Sequence, residues 1–239
     1  MGSATRSLVR LDFDDAMVTG GRLETHNDGQ LALDLRVATA AGGRVDVDPD
    51  PGGGQDLRFP PVSTSPTPPR AVLVVTAVAP NGGSDPLSPG RRDFSFGARF
   101  RLDTVSTSGT LDNGNNLVQR GLSADPAQYK VQVDHGRVSC RVAGDEGALL
   151  ARSTDRVSTG EWYAVTCSRV GDSLTLVYRP LRGPAERVVV SGPTGSVTAS
   201  ATTPLAVGGK VTAGGVAVRG NSDQFNGAVD DVFLSVSQP

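Results

Sequence analysis

The sequence predicts an all-β fold, an antiparallel sandwich of two sheets, and three observations carry that prediction. Short apolar or alternating runs recur along all 239 residues, with turn clusters between them. Gly (30) and Pro (16) are abundant, which suits a chain of many tight turns: Gly supplies positive φ and Pro fixes it. No stretch shows the 3.6-residue apolar period of an amphipathic helix.

In chain order, strands are expected at 7–13, 30–38, 71–79, 94–102, 117–121, 129–133, 137–142 and 148–153. Five more follow at 161–169, 173–178, 186–191, 205–208 and 227–235. Within 94–102, Phe94, Phe96, Ala98, Phe100 and Leu102 fall on one face, so that strand has one dry side. Asn27-Asp28-Gly29, Asn113-Gly114, Asp134-His135-Gly136 and Gly171-Asp172 supply hairpin-turn chemistry. The last apolar run, from Ala228 to Val236, reads as a strand that ties the C-terminus into a sheet. Pro/Gly-rich stretches near 50–70 and 80–92 read as long loops within a single domain, 1–239. About 50 residues before the first are too few for a core of their own.

Charge is nearly balanced, 23 basic against 25 acidic, so no field points to nucleic acid or an anionic membrane. Basic charge is almost all Arg, and Lys130 and Lys210 are the only lysines. No run of 18 apolar residues offers a membrane-spanning helix. The start, Met1-Gly2-Ser3, shows no leader and says nothing about export. Cys140 and Cys167 both lie in strand-like segments. Neighbouring strands would bring their sulfurs within bonding range, which favours a disulfide and an oxidising compartment over two buried free thiols.

From about Asp93 the order of segments resembles the laminin G-like domains of bacterial secreted proteins, within the concanavalin A-like jelly-roll class. Ser158-Thr-Gly-Glu-Trp-Tyr-Ala-Val-Thr-Cys-Ser-Arg169 is similar to that family's Gly-x-Trp-His-x-Val strand, with Tyr163 in place of His. Gly171–Tyr178 resembles the next strand, and Pro204-Leu-Ala-Val-Gly-Gly209 the Pro-Leu-x-Ile-Gly-Gly segment. Phe225-Asn-Gly-Ala-Val-Asp-Asp-Val-Phe-Leu234 resembles the closing Phe-x-Gly-x-Ile-Asp-Asp-Val. Upstream, Leu11-Asp-Phe-Asp14 is similar to the opening strand, and Gln55-Asp-Leu-Arg-Phe59 to the segment after an early loop. The likeness covers most of the chain and is weakest over 60–92.

The resemblance implies a jelly-roll sandwich and a non-catalytic, secreted or cell-surface recognition domain for carbohydrate or protein. A structural or assembly module of a larger surface or particle-associated protein is the alternative. A polysaccharide-degrading enzyme is less favoured. The four glutamates, Glu24, Glu146, Glu161 and Glu186, lack the Glu-x-Asp-x-x-Glu spacing of the class's glucanases. The two histidines, His26 and His135, sit in turn contexts that suit solvated side chains better than a general base.

The resemblance also implies a structural Ca²⁺ between the first and last strands, held by Asp12 or Asp14 with Asp231. By alternation Asp12 and Asp14 share a face, while Asp230 and Asp231 point oppositely. Asp46-Val-Asp48-Pro-Asp50 begins like a helix–loop–helix calcium loop. It fails because Pro51 and Leu57 stand at the glycine and acid positions. Trp162 is expected as a core anchor between the sheets. That leaves Tyr129 and Tyr163 as the candidate surface aromatics for stacking on a sugar.

Overall fold

The computed structural model describes residues 5–50, 52–78, 85–106, 114–220 and 223–238. Among them the chain forms seventeen strands. They begin with β1 (Thr5–Leu11), β2 (Met17–Thr19), β3 (Arg22–Glu24), β4 (Leu33–Ala40), β5 (Asp46–Pro49) and β6 (Gln55–Phe59). Next come β7 (Arg70–Ala77), β8 (Phe94–Leu102), β9 (Asn115–Arg120), β10 (Gln128–Asp134), β11 (Arg137–Gly144) and β12 (Gly147–Arg152). The series closes with β13 (Trp162–Val170), β14 (Ser173–Pro180), β15 (Glu186–Ser191), β16 (Leu205–Val207) and β17 (Gly227–Ser237).

Two antiparallel sheets result. The first runs β15-β14-β13-β8-β17-β6-β5, with β1 also pairing to β17; the second runs β12-β11-β10-β9-β16-β7-β4-β3-β2. All thirteen expected strands are present. The expected loop near 50–70 is only partly a loop, because Gln55–Phe59 pairs with β5 and β17 and leaves 60–69 as the connection. Of the Pro80–Arg92 loop, residues 85–92 carry no strand, and 80–84 lie outside the described residues, as does Asn113 of the Asn113-Gly114 turn. The Asp134-His135-Gly136 turn has φ of 50° at His135 and 75° at Gly136, the left-handed pair that a two-residue hairpin favours.

The core lies between the sheets and follows strand alternation. Phe96, Phe100, Leu102, Val165, Leu174, Leu176, Val232 and Leu234 face inward from the first sheet, all nearly inaccessible. Leu73, Val75, Val118, Val131 and Val142 meet them from the second. Aromatic contacts gather in two groups. Tyr129 packs on Phe94 and Phe96 (centroids 5.6 and 5.0 Å), and Phe100 stacks on Tyr163 at 5.6 Å. Such pairs add about 1 kcal/mol each beyond their buried area.

Cys140 and Cys167 form a disulfide, Cα–Cα 5.9 Å. It joins β11 of one sheet to β13 of the other, so the two strands face each other across the core rather than lying side by side. This bond fixes the parity of β13. Tyr163 and Val165 share the inner face with Cys167, so Trp162 lies on the outer face, half-buried. The expected core position of Trp162 is therefore overturned.

Candidate functional site

The residues nominated for sugar stacking are in the core. Tyr129 is 2% exposed and Tyr163 5%, because both point inward by strand alternation. The Tyr129 hydroxyl donates to the Leu87 carbonyl at 3.1 Å. That of Tyr163 donates to Glu161 (3.1 Å) and accepts from the Ser158 N–H (2.9 Å). Neither ring can meet a ligand, and both assignments are corrected.

The nominated calcium ligands do not assemble. Asp12 Oδ1 accepts the Asp14 N–H at 3.3 Å, and Asp14 Oδ1 accepts the Gln55 N–H at 3.2 Å. Asp231 turns to a guanidinium, with Arg99 Nη1 3.5 Å from its Oδ2. Among the described residues no three His, Cys, Asp or Glu side chains group to hold a metal ion. The set Asp12, Asp14 and Asp231 does not fit calcium. The opposed directions expected for Asp230 and Asp231 are also corrected. Pairing of β17 with β8 slips between Asp230 and Phe233, and Asp231 has φ 48°. A bulge of this kind re-aims a side chain, and Arg99 Nη1 reaches both carboxylates, 3.0 Å to Asp230.

This bulge organises the outer face of the first sheet. Arg99 also bonds Asp50 at 3.3 Å, so one guanidinium gathers three carboxylates. Its carbon, with that of Arg101, lies over the Trp162 ring, at 5.2 and 5.5 Å from the centroid. Burial, aided by the charge of Asp50, pushes the Asp230 carboxyl up to about 7 and that of Asp56 to about 6. Two carboxyls with raised pKa would suit hydrolysis, but these are 4% and 1% exposed and closed to a substrate.

The outer face of the second sheet has a different character. Antiparallel pairing sets Lys130 between Gln119 and Arg141, and Gln132 between Asn116 and Ser139. These six side chains form a grid of two rows on three strands, spaced about 5 Å across strands and about 7 Å along them. The segment after β16 brings in Lys210, whose Nζ is 2.7 Å from Asp223 Oδ2. Gln132 Oε1 and the Asp223 carboxyl carbon both border Gly114, 3.7 and 3.8 Å from where a Cβ there would stand.

Asn116, Gln119, Ser139 and Asp223 are buried, while Lys130, Gln132, Arg141 and Lys210 are half-buried. Buried amides need partners. Asn116 Nδ2 donates to Gln119 Oε1, and Gln119 Nε2 to the Gly121 carbonyl at 2.7 Å. Among the described residues, Asn116 Oδ1 and Asp223 Oδ1 have no hydrogen-bond donor. Burial pushes the Lys130 ammonium down, Asp223 draws it up, and Lys210 and Arg141 push it down again. The only two lysines of the chain thus share the field of Asp223, and Arg141 stands beside Lys130 on the next strand.

None of this grid was singled out from the sequence. One trace was present, in the alternation of Lys130 and Gln132 with Tyr129, Val131 and Val133. The outward face of β10 is polar because its inward face is core.

The model of the laminin G domain family matches residues 105–238, more than half of the chain. No curated protein sequence matches it. Among solved structures, the crystal structure of HCR/D-Sa-GBL1/C aligns with TM-score 0.60 at 10% identity, covering 96% of this chain and 48% of that one. The binding domain of Botulinum Neurotoxin DC in complex with SialylT aligns with TM-score 0.57 at 10% identity, covering 96% and 47%. The binding domain of Paraclostridial Mosquitocidal Protein 1 gives 0.57 at 12%, covering 98% and 49%. The chain spans about half the length of each, and at these identities the likeness is one of fold.

Proposed function

The chain belongs to the laminin G domain family, and from that premise we propose that it is a non-catalytic recognition domain of a secreted or cell-surface protein, binding carbohydrate on the outer face of its second sheet. The observation that carries the reading is the grid of Lys130, Arg141, Gln132 and Gln119 beside Lys210 and Asp223. The half-buried ammonium of Lys130, guanidinium of Arg141 and amide of Gln132, set at regular spacing, suit a hydroxyl-rich ligand. No core aromatic is needed, so recognition would rest on hydrogen bonds rather than on stacking. The disulfide between the sheets agrees with an oxidising compartment. The solved neighbours include a binding domain in complex with SialylT and one in complex with rat synaptotagmin II, which supports a carbohydrate or protein ligand in general terms.

A glycan array on the purified protein, repeated with Lys130→Ala/Gln132→Ala, tests the proposal. Selective glycan binding that falls at least tenfold in the variant supports it. Binding that the variant leaves intact moves the site elsewhere, and a blank array followed by capture of a protein ligand replaces carbohydrate with protein. Melting in EDTA and in calcium belongs to the same experiment, with equal midpoints expected from the dispersed aspartates.

A further inference from the structure

A cleft of about 550 Å³ opens beside the loop from Pro60 to Pro69. Its lining comprises Ala40, Ala41, Pro66, Thr67, Pro68, Arg70, Arg219 and Gly220, none of which belongs to the grid around Lys130. That volume lies within the range of small-ligand sites.

The walls are apolar and rigid for identifiable reasons. Pro66 and Pro68 fix their own φ. The Ser63 hydroxyl accepts the Ser65 N–H and the Ser65 hydroxyl accepts the Thr67 N–H, both at 3.2 Å, so local turns hold the loop. On the far wall Ala41 has φ 50° and Gly42 φ 74°. Glycine would adopt that conformation without strain, yet position 41 carries a methyl that lines the cleft.

Charge is just as one-sided. Among the described residues the lining holds the exposed guanidinium of Arg219, with the buried Arg70 beneath, and no carboxylate. A guanidinium recognises a carboxylate through paired N–H donors. We infer that this cleft binds a carboxylate carried on a short apolar body, with Arg219 meeting the charge and Ala41, Pro66 and Pro68 packing against the body. An N-acyl amino acid and the C-terminal residue of a peptide both present that chemistry. The inference is independent of carbohydrate binding at the other face.

The test uses N-acetyl-leucine, its carboxamide and an acetylated tetrapeptide ending in leucine, each titrated into the ¹⁵N-labelled protein. N-acetyl-leucine is expected to shift the amides of Ala40, Thr67 and Gly220, and the uncharged carboxamide to bind at least tenfold more weakly. Arg219→Ala should cost at least tenfold with the melting temperature unchanged, whereas Arg187→Ala, an exposed arginine of β15, should cost nothing. Ala41→Gly should raise the melting temperature by relieving the left-handed alanine while weakening the probe severalfold. A tetrapeptide that binds tenfold more tightly than N-acetyl-leucine names a peptide terminus as the source, and equal affinity names a free small acid. The inference is overturned if wild type binds neither probe, if the carboxamide binds as well as the acid, or if Arg219→Ala leaves affinity unchanged.

Discussion

The two outer faces of the sandwich handle charge in opposite ways. On the first sheet charges close on one another: Arg99 gathers Asp50, Asp230 and Asp231, and Trp162 lies under two guanidiniums. On the second, Lys210 pairs with Asp223, and the charges of Lys210 and Arg141 bear on Lys130; both faces keep buried polar atoms without partners among the described residues. The first arrangement is a closed ionic cluster, the second a half-buried row of cations and amides. Charged residues alone do not distinguish them. What separates them is the sign in excess: three carboxylates share one guanidinium on the first face, while Lys130, Lys210 and Arg141 crowd one another on the second.

The contrast breaks most visibly at Arg99. Arg99→Ala strands Asp50 and Asp230 in a buried site, a loss expected to cost about 3 kcal/mol and roughly 6–12 °C in Tm. Calorimetry checks it, and a change below 1 kcal/mol would make the first face as open as the second.

Proton linkage sharpens the same point. The carboxyls of Asp56 and Asp230 have folded pKa values of about 6 and about 7, above the ordinary 3.8. The native state therefore holds these protons more firmly than the unfolded chain. Their contribution to stability is fully present below about pH 4 and is lost as pH rises through 6 to 7. Between pH 8 and pH 5 the wild-type Tm should rise, and Asp230→Asn should flatten that slope. An unchanged slope would mean that Asp230 ionises freely.

Smaller still is Trp162→Ala, which removes two cation–π contacts on the first face and should cost about 1–2 kcal/mol without altering ligand binding. Smallest in stability is Lys130→Ala, within about 0.5 kcal/mol by chemical denaturation, although it removes a central donor of the grid. A larger loss would mean that Lys130 holds the fold together, as Arg99 does.

Much of the fold was legible because alternation reports burial directly. The dry face of Phe94–Leu102 and the strand 186–191 appear as expected. The strands that escaped, β2, β3, β5 and β6, span only three to five residues, too short for periodicity to register. Parity on β13 was legible but misapplied. A bonded Cys167 faces the core, which places Tyr163 inside and Trp162 outside, whereas size alone argued for the reverse. Bulges are harder. Nothing in Val229-Asp230-Asp231-Val232 announces that Asp231 takes a left-handed φ, and that single residue decides where two carboxylates go. The grid around Lys130 needs strand pairing and the return of the chain at Lys210 and Asp223, neither of which local sequence encodes.

Cys140 precedes Arg141 on β11, the strand that contributes one column of the grid. A tug on a ligand held there would travel along that strand into the sulfur bridge and on to β13 in the opposite sheet. Edge hydrogen bonds could otherwise unzip one at a time, but here a covalent rivet shares the load between both layers. Reducing the bridge would leave the two layers coupled only by packing between their inner faces.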